Sequence, residues 1–118
     1  MDEIAIALMS GPKDGTILTF ETLLDSGKPT EISIGRRDGC DVCLNYDSQA
    51  SREHALVIFD GEQFWLEDTG SLNGTFIDEE KITGRVPLEA GQLFRVGRTW
   101  LRVEPITQFG NTSDDLPF

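Results

Sequence analysis

The pattern that most limits what this chain can become is a two-residue alternation of apolar and polar side chains, cut short again and again by turn residues. Ten stretches read as strands on this basis: "EIAIALM" (3–9), "TILTF" (16–20), "EISIG" (31–35), "DVCL" (41–44), "HALVIF" (54–59), "QFWLED" (63–68), "TFID" (75–78), "KI" (81–82), "QLFRVG" (92–97) and "TWLRVEP" (99–105). Alternation puts one face of a strand in a core and the other in water. The punctuation agrees. "GPKDG" and the pair Asp60-Gly61 are hairpin turns, and "EE" (79–80) separates two short strands. "LLDSGKPT" (23–30), "RRDGC" (36–40), "NYDSQASRE" (45–53), "TGSLNG" (69–74) and "GRVPLEAG" (84–91) read as loops. No long segment repeats at the helical period. Many short strands between close turns make a β-sandwich or barrel.

At 118 residues the chain is one domain with one core. A domain this size buries roughly two thirds of its unfolded surface, enough to fold without staples. Alternation ends near residue 106. The expected layout is a folded domain over 1–106 and a mobile acidic tail over 107–118.

Charge removes several partners. A formal net charge of −11 repels nucleic-acid phosphates and anionic lipid. Any anion must therefore be held in a local nest of arginine and backbone N–H groups. The first residues carry acids where a signal peptide carries bases, and no apolar run approaches the roughly 20 residues of a membrane span. A cytoplasmic protein is expected. Cys40 and Cys43 form half of a zinc site, and the single histidine does not complete it. Residues three apart on a strand face opposite ways, which disfavours a disulfide. No phosphate-binding Gly-x-x-x-x-Gly-Lys-Ser/Thr and no Gly-x-Gly-x-x-Gly occurs, so no cofactor and no metal is expected.

Three loops carry chemistry: "IGRRDG" (34–39), "DSQASREH" (47–54) and "TGSLNGTF" (69–76). In a sandwich, loops at one end converge. Gly35 lets the backbone approach another segment closely. Arg36 has a planar fork that fits phosphate, Ser51 a hydroxyl, and Arg52 a second cation. The alternative is that Arg36, Arg37 and Arg52 are exposed charges holding nothing. Asn73-Gly74-Thr75 is a turn signal and also fits N-x-T, as Asn111-Thr112-Ser113 fits N-x-S. The Asn73 amide could instead grip a ligand main chain, since it both donates and accepts.

Two enzyme readings compete. Ser51 and His54 could be nucleophile and base, but no Gly-x-Ser-x-Gly elbow is present, and an arginine beside the serine suits an anion better than an acyl substrate. Asp68-Thr69-Gly70-Ser71 matches the active-site tetrapeptide of aspartic proteases, and "SIGRRD" resembles a second phrase of small dimeric members. The order of the two phrases is reversed, and Glu67 stands where an apolar residue supports the catalytic loop.

Taken together the three loops resemble the forkhead-associated (FHA) domain family. That family has Gly-Arg after an early strand, then Ser-x-x-His, then Asp-x-x-Ser-x-Asn-Gly-Thr after a hairpin. Here these are Gly35-Arg36, Ser51-Arg52-Glu53-His54 and Asp68-Thr69-Gly70-Ser71-Leu72-Asn73-Gly74-Thr75. "ISIGRRDGCDVCL" and "LEAGQLFRVGRTWLRVE" are similar to flanking phrases of the family, so the resemblance covers residues 3–105. It implies an all-β, eleven-stranded antiparallel sandwich of the FHA/SMAD-like kind with binding loops at one end. It implies a non-catalytic module that binds phosphothreonine in extended peptides, downstream of a Ser/Thr protein kinase. By position, Arg36, Ser51 and Arg52 would hold the phosphate. Asn73 would hold the peptide main chain near the residue after the phosphothreonine, with Ser71 and Leu72 on the same rim. Gly35, His54 and Gly74 would shape the loops. The sequence departs at Leu72, where many members have a hydrogen-bonding threonine, and at Asp78, where Asn-Gly is common and only a turn should change. The remaining reading is a phosphate-independent protein-interaction module of the same fold. A further expectation concerns the tail: Thr112, with Asp115 three residues on, could dock on the domain once phosphorylated.

Overall fold

The alternating residues sort into an inside and an outside. Ile4, Ile6 and Leu8 of the first strand, Ile32 and Ile34 of the third, and Leu101 and Val103 of the last are almost fully buried, while Ser33 and Arg102 between them reach solvent. The computed structural model describes residues 3–22 and 27–104. It holds eleven strands: β1 (Glu3–Leu8), β2 (Ile17–Glu21), β3 (Thr30–Gly35), β4 (Val42–Cys43), β5 (Ala55–Phe59), β6 (Phe64–Asp68), β7 (Thr75–Ile77), β8 (Glu80–Lys81), β9 (Arg85–Leu88), β10 (Leu93–Val96) and β11 (Thr99–Val103). They form a six-stranded sheet, β2-β1-β11-β10-β7-β8, and a five-stranded sheet, β4-β3-β5-β6-β9. Phe94, Leu66, Leu88, Val57 and Leu44 fill the space between, all with no exposed surface. Each such side chain contributes about 1.5–3 kcal/mol through burial.

The all-β sandwich of eleven strands is as expected, with three differences of detail. Pairing is antiparallel throughout except for β3 and β4, which run parallel with Ile34 opposite Val42. The segment read as the loop "GRVPLEAG" contains β9. Pro87 hid it, because proline cannot donate within a ladder. β9 is an edge strand, paired only with β6, so the missing N–H costs no bond. The turn between β7 and β8 is Asp78-Glu79, one residue earlier than "EE", and Asp78 adopts φ 55° where the family often has Asn-Gly. The expected tail from residue 107, with Thr112 and the Asn111 sequon, lies outside the described residues. No helix among the described residues is long and apolar enough to cross a membrane.

Register decides which loops meet. Ala55 pairs with both Ile34 and Asp68, so the loops leaving β3, entering β5 and leaving β6 start from one row. In the other sheet Val96 pairs with Thr75, which brings the β10–β11 turn, Gly97-Arg98, to the same end as the start of β7.

Candidate functional site

The three loops named from sequence do converge, and the segment Gln49-Ala50-Ser51 runs through their junction as a common support. Asn73 Nδ2 donates to the Gln49 carbonyl at 2.9 Å. Arg36 Nε donates to the Ala50 carbonyl at 3.0 Å. Leu72 N–H donates to Ser51 Oγ at 2.9 Å, and Arg36 N–H to the Ser51 carbonyl at 2.9 Å. The side chains expected to bind a ligand are thus indexed along three successive residues.

What each group has left is the chemistry of the site. Arg36 is exposed, its Nε is used, and its two terminal nitrogens have no partner among the described residues. Ser51 Oγ accepts one hydrogen bond and gives its own proton to no described group. Arg52 is exposed and in no ion pair among the described residues, whereas Arg37 is bound to Glu53 at 2.7 Å. Four of the ten lysines and arginines of this acidic chain, Arg36, Arg37, Arg52 and Arg98, lie in the loops at this end. Cationic donors beside a hydroxyl can hold a tetrahedral anion.

Gly35 shows why the family position is glycine. A Cβ there would run into the Arg52 carbonyl, with the next atom, Arg52 C, only 2.9 Å away. That closeness lets Arg37 N–H reach the same carbonyl at 3.2 Å and sets Arg36 against Ser51.

His54 has no exposed surface. Its Nδ1 accepts the Ser51 N–H at 3.0 Å, so the ring proton sits on Nε2, which donates to the Gly74 carbonyl at 2.9 Å. Its backbone donates to Ile34 and accepts from Thr69. One residue therefore ties together β3, its own loop and both ends of the 69–74 loop. The bond to Ser51 involves the backbone nitrogen and not Oγ, so no nucleophile–base pair exists here. Gly74 is buried, and its carbonyl is the one held by His54.

Asp68 organises the third loop. Its carboxylate accepts from Gly70 N–H (2.8 Å), Ser71 N–H (2.9 Å), Ser71 Oγ (2.6 Å) and Thr75 Oγ1 (2.8 Å). Burial pushes the carboxyl up, but hydrogen bonds from Ser71, Thr75 and Gly70 outweigh it and bring it from 3.8 to about 2. A carboxylate engaged four times over cannot share a proton with a second aspartate, so "DTGS" is a loop-forming phrase and not a protease signature. The Ser71 hydroxyl is occupied in the same network, since it also accepts Gly74 N–H at 2.9 Å. Leu72 is 87% exposed and offers an apolar side chain at the rim.

Sequence reasoning missed two groups. Asp47 is buried at 4% exposure and accepts Gln49 N–H (3.0 Å), Arg98 N–H (2.8 Å) and Thr99 Oγ1 (2.7 Å). Burial raises its carboxyl, and the Thr99, Arg98 and Gln49 donors outweigh this and lower it. The Gly97-Arg98 turn packs on this loop, close enough that a Cβ on Gly97 would lie 2.8 Å from Ala50 N. The β10–β11 hairpin is visible in the sequence, but nothing local ties it to residue 47.

The cysteines are free. Cys40 precedes β4, and its buried thiol donates to the Arg52 carbonyl at 3.3 Å. Burial pushes this thiol up, so it packs beneath the Arg52 loop as a neutral group.

The family model of the FHA domain matches residues 32–97. This chain belongs to the FHA domain family. FHA domains are non-catalytic interaction modules. The FHA domain-containing protein FhaB of Mycobacterium tuberculosis is 36% identical over 74 residues, which is 63% of this chain and 47% of FhaB. The chain thus spans about half the length of that curated relative. The FHA domain of CT664 from Chlamydia trachomatis superposes with a TM-score of 0.76 at 23% identity, over 89% of this chain and 99% of that one. An FHA domain solved in a study of phosphothreonine-dependent interactions gives 0.73 at 23% identity, over 89% and 98%.

Proposed function

We propose that this FHA domain binds phosphothreonine in an extended segment of a partner protein and so reads the product of a Ser/Thr kinase in the cytoplasm. The observation that carries this is the pair of unspent donors, the Arg36 terminal nitrogens and the Ser51 hydroxyl, the arginine being bonded to the Ala50 and Ser51 carbonyls. Arg52 adds charge beside them. A phosphoryl group brings nearly two negative charges and three acceptor oxygens, which complete these donors. The phosphothreonine-dependent interactions of an FHA domain of the same fold support the choice of ligand. Asn73 and Leu72 form the peptide rim. Ser71, whose hydroxyl donates to Asp68 and accepts from Gly74, lines the same rim and shapes the loop. Gly35, His54 and Gly74 hold the loops in place.

Arg36→Ala tests the proposal. Its head is exposed, so stability should stay within about 1 kcal/mol. Loss of two charge-assisted hydrogen bonds, each worth about 1.5–3 kcal/mol, should weaken a phosphothreonine peptide by about a hundredfold or more. Calorimetry with phosphothreonine, phosphoserine and unmodified peptides from an oriented library provides the measurement. Binding that survives both Arg36→Ala and phosphatase treatment of the partner would instead establish a phosphate-independent module.

A further inference from the structure

We propose that the outer face of the six-stranded sheet carries a second protein-binding site, an apolar cleft with an acidic rim that takes a basic segment of a partner protein. It stands on residues outside the phosphate-binding loops and does not depend on phosphate binding.

Strand parity builds the floor. Phe94 and Leu101 face each other across β10 and β11 and point into the core with no exposed surface. Their neighbours Leu93 and Trp100 therefore point outward. Leu93 is 39% exposed, and Trp100 is half-buried. With Ile77 they line a cleft of about 690 Å³. Asp78, Glu79 and Glu80, from the β7–β8 turn and the start of β8, line the same cleft. The sequence departure at Asp78 thus changes more than a turn, because it adds a third acid to this rim.

The charge of the rim is unanswered. None of the three carboxylates is in an ion pair among the described residues. The three cations in the strands of this sheet are engaged elsewhere. Arg102 is paired with Glu104 at 2.8 Å. Arg95 lies over the Phe76 ring at 4.3 Å and donates to the Gly97 carbonyl at 2.8 Å. The Lys81 stem lies over Gly74, where an added Cβ would meet its Cε at 2.8 Å.

Three free acids beside an apolar floor repel nucleic acid and anionic lipid and attract lysine and arginine. The occupant that fits is a stretch of polypeptide in which basic residues flank one large apolar side chain. The apolar group covers Leu93 and Trp100, and the bases meet the rim. From Leu93 to Gly97 is about 13 Å of strand, so the cleft lies at the end of β10 away from the phosphate-binding loops. It is a separate contact, open to the same partner or to another.

The test uses the full chain and unphosphorylated peptides. The first is the tightest member of a library with leucine fixed between arginines. The second has serine in place of that leucine, and the third has glutamates in place of the arginines. The first should bind about tenfold or more tightly than either of the others. Its NMR shifts should fall at Ile77–Glu80, Leu93 and the Trp100 indole. Asp78 adopts φ 55°, where glycine is at ease, so Asp78→Gly removes an acid without straining the turn. Combined with Glu79→Gln and Glu80→Gln it should weaken the first peptide about tenfold at low ionic strength, a gap that closes in high salt. Leu93→Thr should instead abolish the advantage of leucine over serine. The two variants change different parts of the cleft, so either one is decisive if the other does not fold. Equal binding of the leucine and serine peptides would reveal only the diffuse field of an acidic chain and would overturn the proposal. So would shifts at Arg36 and Ser51, unchanged affinity in the variant without the three acids, or a library in which no member binds.

Discussion

The two ends of the β5–β6 hairpin solve the same problem in opposite ways. At the tip, Asp60 accepts Glu62 N–H, Gln63 N–H and Trp65 Nε1, all within five residues. At the other end the bonds cross the sequence. Asp47 reaches Arg98 and Thr99, His54 reaches Gly74, and Asn73 reaches Gln49. The tip is a turn that closes on itself. The site is a set of loops that exist in their observed shape only after both sheets have formed. A local turn fails alone, but a cross-linked loop cluster fails together with the surface it presents.

His54→Ala should break the cluster most severely. It removes a fully buried ring and leaves the Ser51 N–H and the Gly74 carbonyl unpaired. A cavity and two orphaned polar groups should cost about 3–4 kcal/mol. For a domain of this size that lowers Tm by more than about 10 °C. Urea titration measures the loss. Ligand affinity of the fraction still folded should fall about tenfold as well, because Ser51 and the 69–74 loop lose their common tie.

Asp68 and Asp60 provide the matched comparison. Asp68→Asn keeps one acceptor oxygen but cannot serve four donors, and should cost about 2 kcal/mol. Asp60→Ala at the exposed tip should lower Tm less and leave binding unchanged. Acid separates Asp68 further. Its folded carboxyl lies at about 2, below the ordinary 3.8, so its contribution is complete above the ordinary value and fades as pH falls from about 4 to about 2. The urea midpoint of the native chain should drop across that window, and Asp68→Asn should lack that part of the slope. Equal slopes would show that Asp68 is not organising the loop.

The same division explains what could be read beforehand. Strands declare themselves through alternation, a local property, and the tip declares itself through Asp60-Gly61. β9 is hidden in the sequence because Pro87 looks like a break until its edge position is known. Arg36, Ser51 and Asn73 were legible as chemical types on loops. The use each group makes of its atoms was not. Ser71 reads as a rim residue, but its hydroxyl is spent on Asp68 and Gly74. Asp47 and Gln49 read as loop polarity, yet one is buried beneath Thr99 and the other supports Asn73. Partners some 20 to 50 residues away leave no local trace; they follow from register, which no single strand carries.

The smallest expected effect concerns a bond that lies at the site but outside its cross-links. Arg37 and Glu53 form an ion pair at 2.7 Å with side chains 50% and 66% exposed. Exposed pairs contribute little, so Glu53→Ala should change stability by no more than about 0.5 kcal/mol. Its electrostatic consequence is different. The change removes the acid between Arg52 and His54 and releases Arg37 beside Arg36. Phosphopeptide affinity should rise about two- to threefold at low ionic strength. The gain should disappear near 1 M salt, where the screening length falls to about 3 Å. Titrations of the native chain and the variant across a salt series supply the check. A gain that persists at high salt would mean that Arg37 forms a direct bond to the phosphate and belongs with Arg36 and Arg52. No gain at any salt would confine the field of the site to those two arginines.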